Sequence, residues 1–248
     1  MAESWGDALR RLGAAQKGHA RGAPAYSVYV NRKIGRVLAA TAYVWGMTPN
    51  GVTAVSALFT FAGIALIATI PMTPLLGVAV ALLLALGYAW DSADGQLARL
   101  RGGGSVSGEW LDHFVDAFKI ASLHLAVLIG LFRFTDLEPG WLLVPIAFSV
   151  VATVTFFGML LNDLLKAARG VASTHSRGGG SALRSLVLLP TDYGLLCLVF
   201  VLWGFPVIFL AVYGLVGVAC AAFLALAAVK WFREMRDVDA QAQVTSSS

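Results

Sequence analysis

The sequence predicts an all-α integral membrane protein of six transmembrane helices, preceded by an amphipathic helix on the cytoplasmic surface. Three observations predict it: the composition, the length of the apolar blocks, and the placement of the basic residues. Of 248 residues, 58% are hydrophobic and 13% charged, against roughly 25% charged in a soluble domain. The apolar residues come in blocks long enough to cross about 30 Å of hydrocarbon at a rise of about 1.5 Å per residue. The basic residues gather at one end of those blocks, which sets an orientation.

One membrane domain is expected over 1–248: a cytoplasmic N-terminal region (1–49), a six-helix bundle (50–231) and a cytoplasmic tail (232–248). The opening "MAESWGDALRRLGAAQKGHARG" is polar and basic, with no apolar core of a signal peptide. "YSVYVNRKIGRVLAATAYVW" (Tyr26 to Trp45) is too polar and too short to span. Its clustered basic residues, flanked by apolar ones at helical spacing, fit a helix lying on the cytoplasmic leaflet. The alternative is a small soluble pre-domain packed on the loops. Thr48 or Asn50 then offers an N-cap for the first membrane helix.

The six apolar blocks run from about Asn50 to Ile70, Thr73 to Trp90, Ser107 to Phe134, Trp141 to Lys166, Ser185 to Trp203, and Pro206 to Trp231. Ala, Gln, Leu and Arg extend the second block as helix to about Leu100. The breaks "IPMTP" and "DLEPG" read as tight turns between antiparallel neighbours. The tail "QAQVTSSS" reads as disordered. Cys197 and Cys220 lie inside apolar blocks and read as buried small hydrophobes, with no disulfide framework or thiolate metal site.

Arg10, Arg11, Lys17, Arg21, Arg32, Lys33 and Arg36 precede Asn50. Arg99 and Arg101 sit at the second turn, and Lys166, Arg169, Arg177 and Arg184 at the fourth. Lys230, Arg233 and Arg236 follow the sixth helix, and Arg133 falls on the opposite side. By the positive-inside rule both termini are cytoplasmic, in a multi-pass protein of the plasma membrane.

The same rule puts "DSADGQLARLRGGGSVSGEWLDHFVD" (91–116) at the cytoplasmic boundary, where the second and third helices meet. Asp91 and Asp94 stand at i and i+3 on one helix face; Asp112 and Asp116 stand at i and i+4 on another. A Gly-rich turn brings the two helices together antiparallel, so four carboxylates converge. Four like charges there repel or take up protons unless a cation resolves the conflict. Carboxylate oxygens suit Mg²⁺, Mn²⁺ or Ca²⁺. Gly95, Ala98 and Gly108 leave the neighbouring backbone open to a ligand, and Arg99 adds a fixed cation suited to phosphate. Together these imply metal-assisted displacement at the phosphorus of a diphosphate. The bland reading, helix-end caps and solvated turn charges, explains one aspartate but not two pairs at helical spacing. Glu109 and His113 fall between the paired positions and read as solvated or supporting groups.

These residues resemble the signature of the CDP-alcohol phosphotransferases, D-x2-D-G-x2-A-R-x8-G-x3-D-x3-D. Asp91, Asp94, Gly95, Ala98, Arg99, Gly108, Asp112 and Asp116 fill every fixed position. The resemblance extends to the six-helix layout, the surface helix, and "TPNGVT" (Thr48 to Thr53). It implies a homodimeric membrane enzyme of phospholipid synthesis that cleaves a CDP-alcohol at its diphosphate, releasing CMP and forming a phosphodiester. It further implies that Asp91, Asp94, Asp112 and Asp116 hold two Mg²⁺ or Mn²⁺ ions, with Asp116 also the general base. By the same resemblance Gly95, Ala98, Arg99 and Gly108 cradle the CDP-alcohol, with Ser105, Asn50 and Thr53 also touching it.

The most fitting donor is CDP-diacylglycerol; the alternatives are a soluble CDP-alcohol with a lipid acceptor, or a cation-dependent transporter. The acceptor, a small molecule or a lipid, is not chosen by the motif. Lys166, Arg177 and Arg184 are candidate contacts for an anionic acceptor, against a plain role in topology and lipid contact. Asp192 is an acid in an apolar block, placed either to pair with Arg184 or to hydrogen-bond an acceptor hydroxyl. Asp163 with Asn162 is a weaker candidate of the same kind. Phosphatidylinositol-phosphate synthases carry a "GLxERxER"-like stretch where this chain has "ALRSLVLLPTDYG", which argues against inositol phosphate. Nothing in the chain suggests nucleic acid as a partner.

Overall fold

The computed structural model describes residues 4–14, 24–171 and 188–246, which are helical and contain no strand. The α-helices among the described residues run in order: α1 Trp5–Ala14, α2 Arg32–Val44, α3 Pro49–Thr69, α4 Pro74–Leu100, α5 Val106–Phe134, α6 Leu143–Ala168, α7 Tyr193–Val199 and α8 Pro206–Ser246. A π-helical stretch, Ser27–Asn31, leads into α2, and 3₁₀ turns precede α6 (Pro139–Leu142) and flank α7 (Leu189–Thr191 and Phe200–Leu202). Among the described residues, five helices are long and apolar enough to cross a membrane: α3, α4, α5, α6 with its 3₁₀ lead, and α8. The protein is an integral membrane protein.

Local chemistry fixes the helix starts. Thr48, Thr73 and Ser105 each stand in extended conformation and accept a hydrogen bond from the backbone N–H three residues on, at 3.1, 3.1 and 3.0 Å. Each caps donors that the first helical turn cannot satisfy itself. Of the two expected caps for α3, Thr48 is the one used, and Asn50 lies inside the helix. Pro49 and Pro74 at the helix starts cost nothing, because no hydrogen bond is asked of their nitrogens.

Helices α3 and α4 pack antiparallel at close range. A Cβ added at Gly87 would fall 2.1 Å from Thr60 Oγ1 and 3.1 Å from its backbone nitrogen, so only glycine fits at this crossing. Gly87→Val is expected to destabilise by roughly 1–3 kcal/mol through overpacking, read as a lower unfolding temperature in detergent. At the other end of the bundle, Trp203, Phe209, Tyr213 and Phe148 form the aromatic core. Trp203 meets Phe209 edge-on at 4.9 Å, and His124, stacked on Phe148, shares a 2.6 Å hydrogen bond with Tyr213 Oη.

Two elements differ from expectation. The fifth apolar block was expected to span from Ser185 to Trp203; among the described residues it contributes only the ten-residue apolar helix Tyr193–Leu202. Pro190 and the Asp192 cap start that helix late: Asp192 accepts from Gly194 N at 3.0 Å. Helix α8, expected to end near Trp231 ahead of a disordered tail, runs to Ser246. No glycine or proline interrupts its last third; Glu234 ties it to Lys166 of α6 at 2.5 Å and pairs within the helix with Lys230, one turn back, at 3.4 Å.

The opening region holds a helix, α1, whose Ala8 and Leu12 are buried against α2 and α4. It starts with reciprocal contacts in "SWGD": Ser4 Oγ accepts from Asp7 N at 3.2 Å and donates to Asp7 Oδ2 at 2.6 Å. The Ser4 hydroxyl, with Arg10 beside it, holds the Asp7 carboxyl below its ordinary range. Helix α2 buries Gly35, Ala39, Ala40 and Ala42 and leaves Ile34, Val37, Val44 and Trp45 exposed. Its small-residue face lies on α4, where Gly35 meets Ser92 and Gln96.

Candidate active site

The last turns of α4 carry Asp91, Asp94, Gly95, Ala98 and Arg99, and the first turns of α5 carry Gly108, Asp112 and Asp116. Between them the chain reverses within residues 101–105. Gly102 and Gly103 take φ values of 98° and 134°, a region that side chains disfavour, and Ser105 caps the new helix. Two local rules, a glycine turn and a serine cap, thus bring the aspartate-bearing ends of α4 and α5 together.

Side-chain oxygens of Asp91, Asp112 and Asp116 lie within 4.8 Å of one another. Asp94 is directed elsewhere: its Oδ2 accepts from Thr53 Oγ1 of α3 at 2.7 Å, and its Oδ1 accepts from Gly95 N at 2.5 Å. The structure therefore gathers three of the four aspartates and tethers the fourth to α3. Thr53, an expected donor contact, is the tether, and it also donates to Pro49 O at 3.2 Å.

A cation stands among these carboxylates. Lys119 Nζ donates to Asp91 Oδ1 at 2.5 Å, to Asp116 Oδ1 at 3.2 Å and to Ser56 Oγ at 3.0 Å, and the residue is 7% exposed. Ser56 in turn donates to Gly87 O at 2.9 Å and lies 3.3 Å from Asp91 Oδ1. Sequence reasoning missed both residues. The available signal was a lone lysine in an apolar run, three positions after Asp116 and so on its helix face.

The expected ligand-facing residues surround this cluster. A Cβ at Gly95 would meet only Arg99 Nη1, at 3.6 Å, so the backbone there is open. A Cβ at Gly108 would lie 3.1 Å from Asn50 Oδ1 and from Ser105 Oγ, which places Asn50 and Ser105 together at the α5 start. Ala98 is half-buried on α4, and Arg99 is exposed and lines an open cleft of about 990 Å³ with Arg11, Tyr43 and Arg101. A second, smaller cavity of about 150 Å³ adjoins the carboxylates and is lined by Asp91, Asp116, Lys119, Thr60, Tyr88, Ile120 and Tyr193. Glu109 is exposed, and His113 lies edge-on to Phe156 of α6.

The candidate acceptor contacts divide. Arg177 and Arg184 lie outside the described residues. Lys166 is buried and ion-paired with Glu234, with Asn162 donating to the same carboxylate at 3.3 Å. Asp192 is 2% exposed, and besides Gly194 N it accepts from Ser27 N at 2.8 Å. Both charges are therefore engaged inside the fold. Apolar surroundings penalise an uncompensated charge, and backbone amides and a counter-charge resolve that here.

Residues 46–231 match the CDP-alcohol phosphatidyltransferase family, three quarters of the chain and all of the site described above. No curated protein sequence matches significantly. Among solved structures, the fold is similar to that of Mycobacterium tuberculosis phosphatidylinositol phosphate synthase (PgsA1). In complex with manganese and citrate, that protein aligns at 22% identity and TM-score 0.51, over 82% of this chain and 89% of the other. The same synthase with CDP-DAG bound aligns at 22% identity and TM-score 0.50, over 79% and 90% of the two chains. The family match, with aspartates converging where α4 and α5 meet, settles the assignment: this chain belongs to the CDP-alcohol phosphatidyltransferase family and is an enzyme of that type.

Proposed function

We propose that the enzyme moves a phosphatidyl group from CDP-diacylglycerol to an acceptor hydroxyl, releasing CMP, and that it needs Mg²⁺ or Mn²⁺. The observation that carries this reading is the convergence of Asp91, Asp112 and Asp116 within 4.8 Å. An all-oxygen carboxylate set fits hard divalent ions, and three such groups gathered at a membrane helix end need a cation nearby. The PgsA1 neighbours, one holding manganese and one CDP-DAG, agree with the ion and donor classes.

Asp91, Asp94, Asp112 and Asp116 would hold two ions, which when bound supply charge stabilisation at the diphosphate. Arg99, exposed above open backbone at Gly95, binds the diphosphate oxygens; Gly95, Ala98 and Gly108 leave room for the nucleotide, with Asn50, Thr53 and Ser105 at its edge. Asp116 borders the 150 Å³ cavity on one side and the other carboxylates on the other, and it takes the proton of an acceptor hydroxyl held there. The new phosphodiester bond forms as the bond to CMP breaks.

The reading also includes six transmembrane helices with both termini and the active site on the cytoplasmic face of the plasma membrane, and a homodimeric assembly. In it α2 lies on the cytoplasmic leaflet, with Ile34, Val37, Val44 and Trp45 meeting lipid. Since Lys166 and Asp192 are engaged within the fold, Arg177 and Arg184 are left as the acceptor's cationic contacts.

An acceptor screen tests the whole reading. Purified enzyme receives CDP-diacylglycerol and serine, glycerol 3-phosphate, inositol phosphates or phosphatidylglycerol, with CMP release as the readout. One acceptor is expected to raise CMP release well above the acceptor-free rate. Release only from a soluble CDP-alcohol given a lipid acceptor would reverse the donor assignment. With the acceptor in hand, Arg184→Ala is expected to raise its KM by about tenfold while the donor KM moves little, the loss of one charge-assisted contact. Equal effects on both would remove Arg184 from the acceptor site.

A further inference from the structure

Lys119 is a buried ammonium placed where a divalent cation would be expected to work. It arrives from α5 one turn beyond Asp116, while Asp91 arrives from α4 and Ser56 from α3, so the three helices meet at one nitrogen. Its contacts use Oδ1 of Asp91 and Oδ1 of Asp116. The other oxygens of these two residues, and both oxygens of Asp112, carry no lysine contact. Burying an ammonium is costly unless it is paired and hydrogen-bonded, and here two carboxylates and a hydroxyl do both.

We propose that Lys119 is the resident counter-ion of the carboxylate cluster: it holds Asp91 and Asp116 together before a divalent ion arrives, and by repulsion it limits how tightly that ion is held. Lys119 acts on the reaction through Asp91 and Asp116 and is a positioning residue. The inference rests on the reading of the carboxylates as a divalent-cation centre. It has a chemical rationale. An ion held less tightly would also hold the diphosphate-derived charge of CMP less tightly, and so would favour its release. A centre with uncompensated carboxylates would bind the ion tightly and collapse apart without it.

Full-length enzyme in detergent tests this with two readouts that need no turnover: Mn²⁺ binding followed by the paramagnetic signal of the free ion, and thermal unfolding with chelator or with Mn²⁺. Lys119→Met is expected to bind Mn²⁺ at least about tenfold more tightly, since like charges this close interact strongly at a poorly solvated site. It is also expected to unfold at a lower temperature than wild type in chelator, with the gap narrowing when Mn²⁺ is added. Lys119→Arg should stay near wild type in both. A lysine that merely fills space would leave Mn²⁺ affinity unchanged, or lower it through lost geometry, and either result overturns the proposal. If Lys119→Met does not fold, Lys119→Gln keeps the hydrogen bonds without the charge and must show the tighter binding. Wild-type enzyme that binds no Mn²⁺ would overturn the cation-centre reading itself. Wild-type binding with unaltered variants would overturn the role of Lys119 alone.

Discussion

Asp116→Asn is expected to bind the CDP-alcohol donor as wild type does while turnover falls by about 10² or more, the usual scale for a positioned general base. The substitution keeps the size of the side chain and one oxygen capable of ligation, so it separates proton transfer from site assembly. Asp116 is the group to test because it belongs to two surroundings at once: its oxygens lie near those of Asp91 and Asp112, and its side chain lines the small cavity. Single-turnover CMP release, with donor binding measured separately, checks it. Substantial turnover in this variant would leave Asp116 a ligand only.

Chelation should act still more strongly. In excess EDTA the enzyme is expected to lose turnover to background, and Mg²⁺ or Mn²⁺ to restore it, because the single charges of Arg99 and Lys119 do not replace a divalent charge at the diphosphate. Asp91→Asn is expected to reproduce part of this loss at saturating metal, with weaker metal binding and weaker nucleotide binding together. Asp91 accepts from Lys119 and lies beside Ser56, so its removal also strips a buried ammonium of its shorter contact. A lower unfolding temperature in the variant should accompany the loss. Full turnover in chelator would refute the ion requirement outright.

Much of this architecture was readable from local chemistry. The starts of α3, α4 and α5 follow from Thr48, Thr73 and Ser105, whose side chains bond within their own turn. The reversal between α4 and α5 follows from Gly102 and Gly103. The aspartates could be located because their spacing is helical and their turn is short. What escaped reading depends on contacts between distant segments. Lys119 has no motif of its own, and its meaning comes from Asp91, 28 positions away, and Ser56, 63 positions away. Lys166 looked like a surface cation because Glu234, 68 positions on, could not be placed opposite it. Asp94 looked equivalent to its neighbours until Thr53 turned it toward α3. The extended α8 escapes reading for another reason: beyond Trp231 its residues lose the apolar run that marks a membrane helix, although Arg, Glu, Met, Ala and Gln there form helix readily.

The clasp between Asp192 and the chain before α2 has an evolutionary consequence. Asp192 grips the main-chain amides of Ser27 and Gly194, and neither grip involves the other residue's side chain. The join to Asp192 therefore asks of position 27 only an amide hydrogen, which proline alone lacks, while the Ser27 side chain answers separately to Tyr88. No second mutation at position 27 can compensate a lost carboxylate, so the two sites should leave no correlated substitutions in a lineage. Ancestry would record this join as a solitary acid with no covarying mate at position 27. Grafting α2 and its lead from a distant relative should succeed where the graft keeps an amide at position 27 for Asp192 and a side chain there that suits Tyr88.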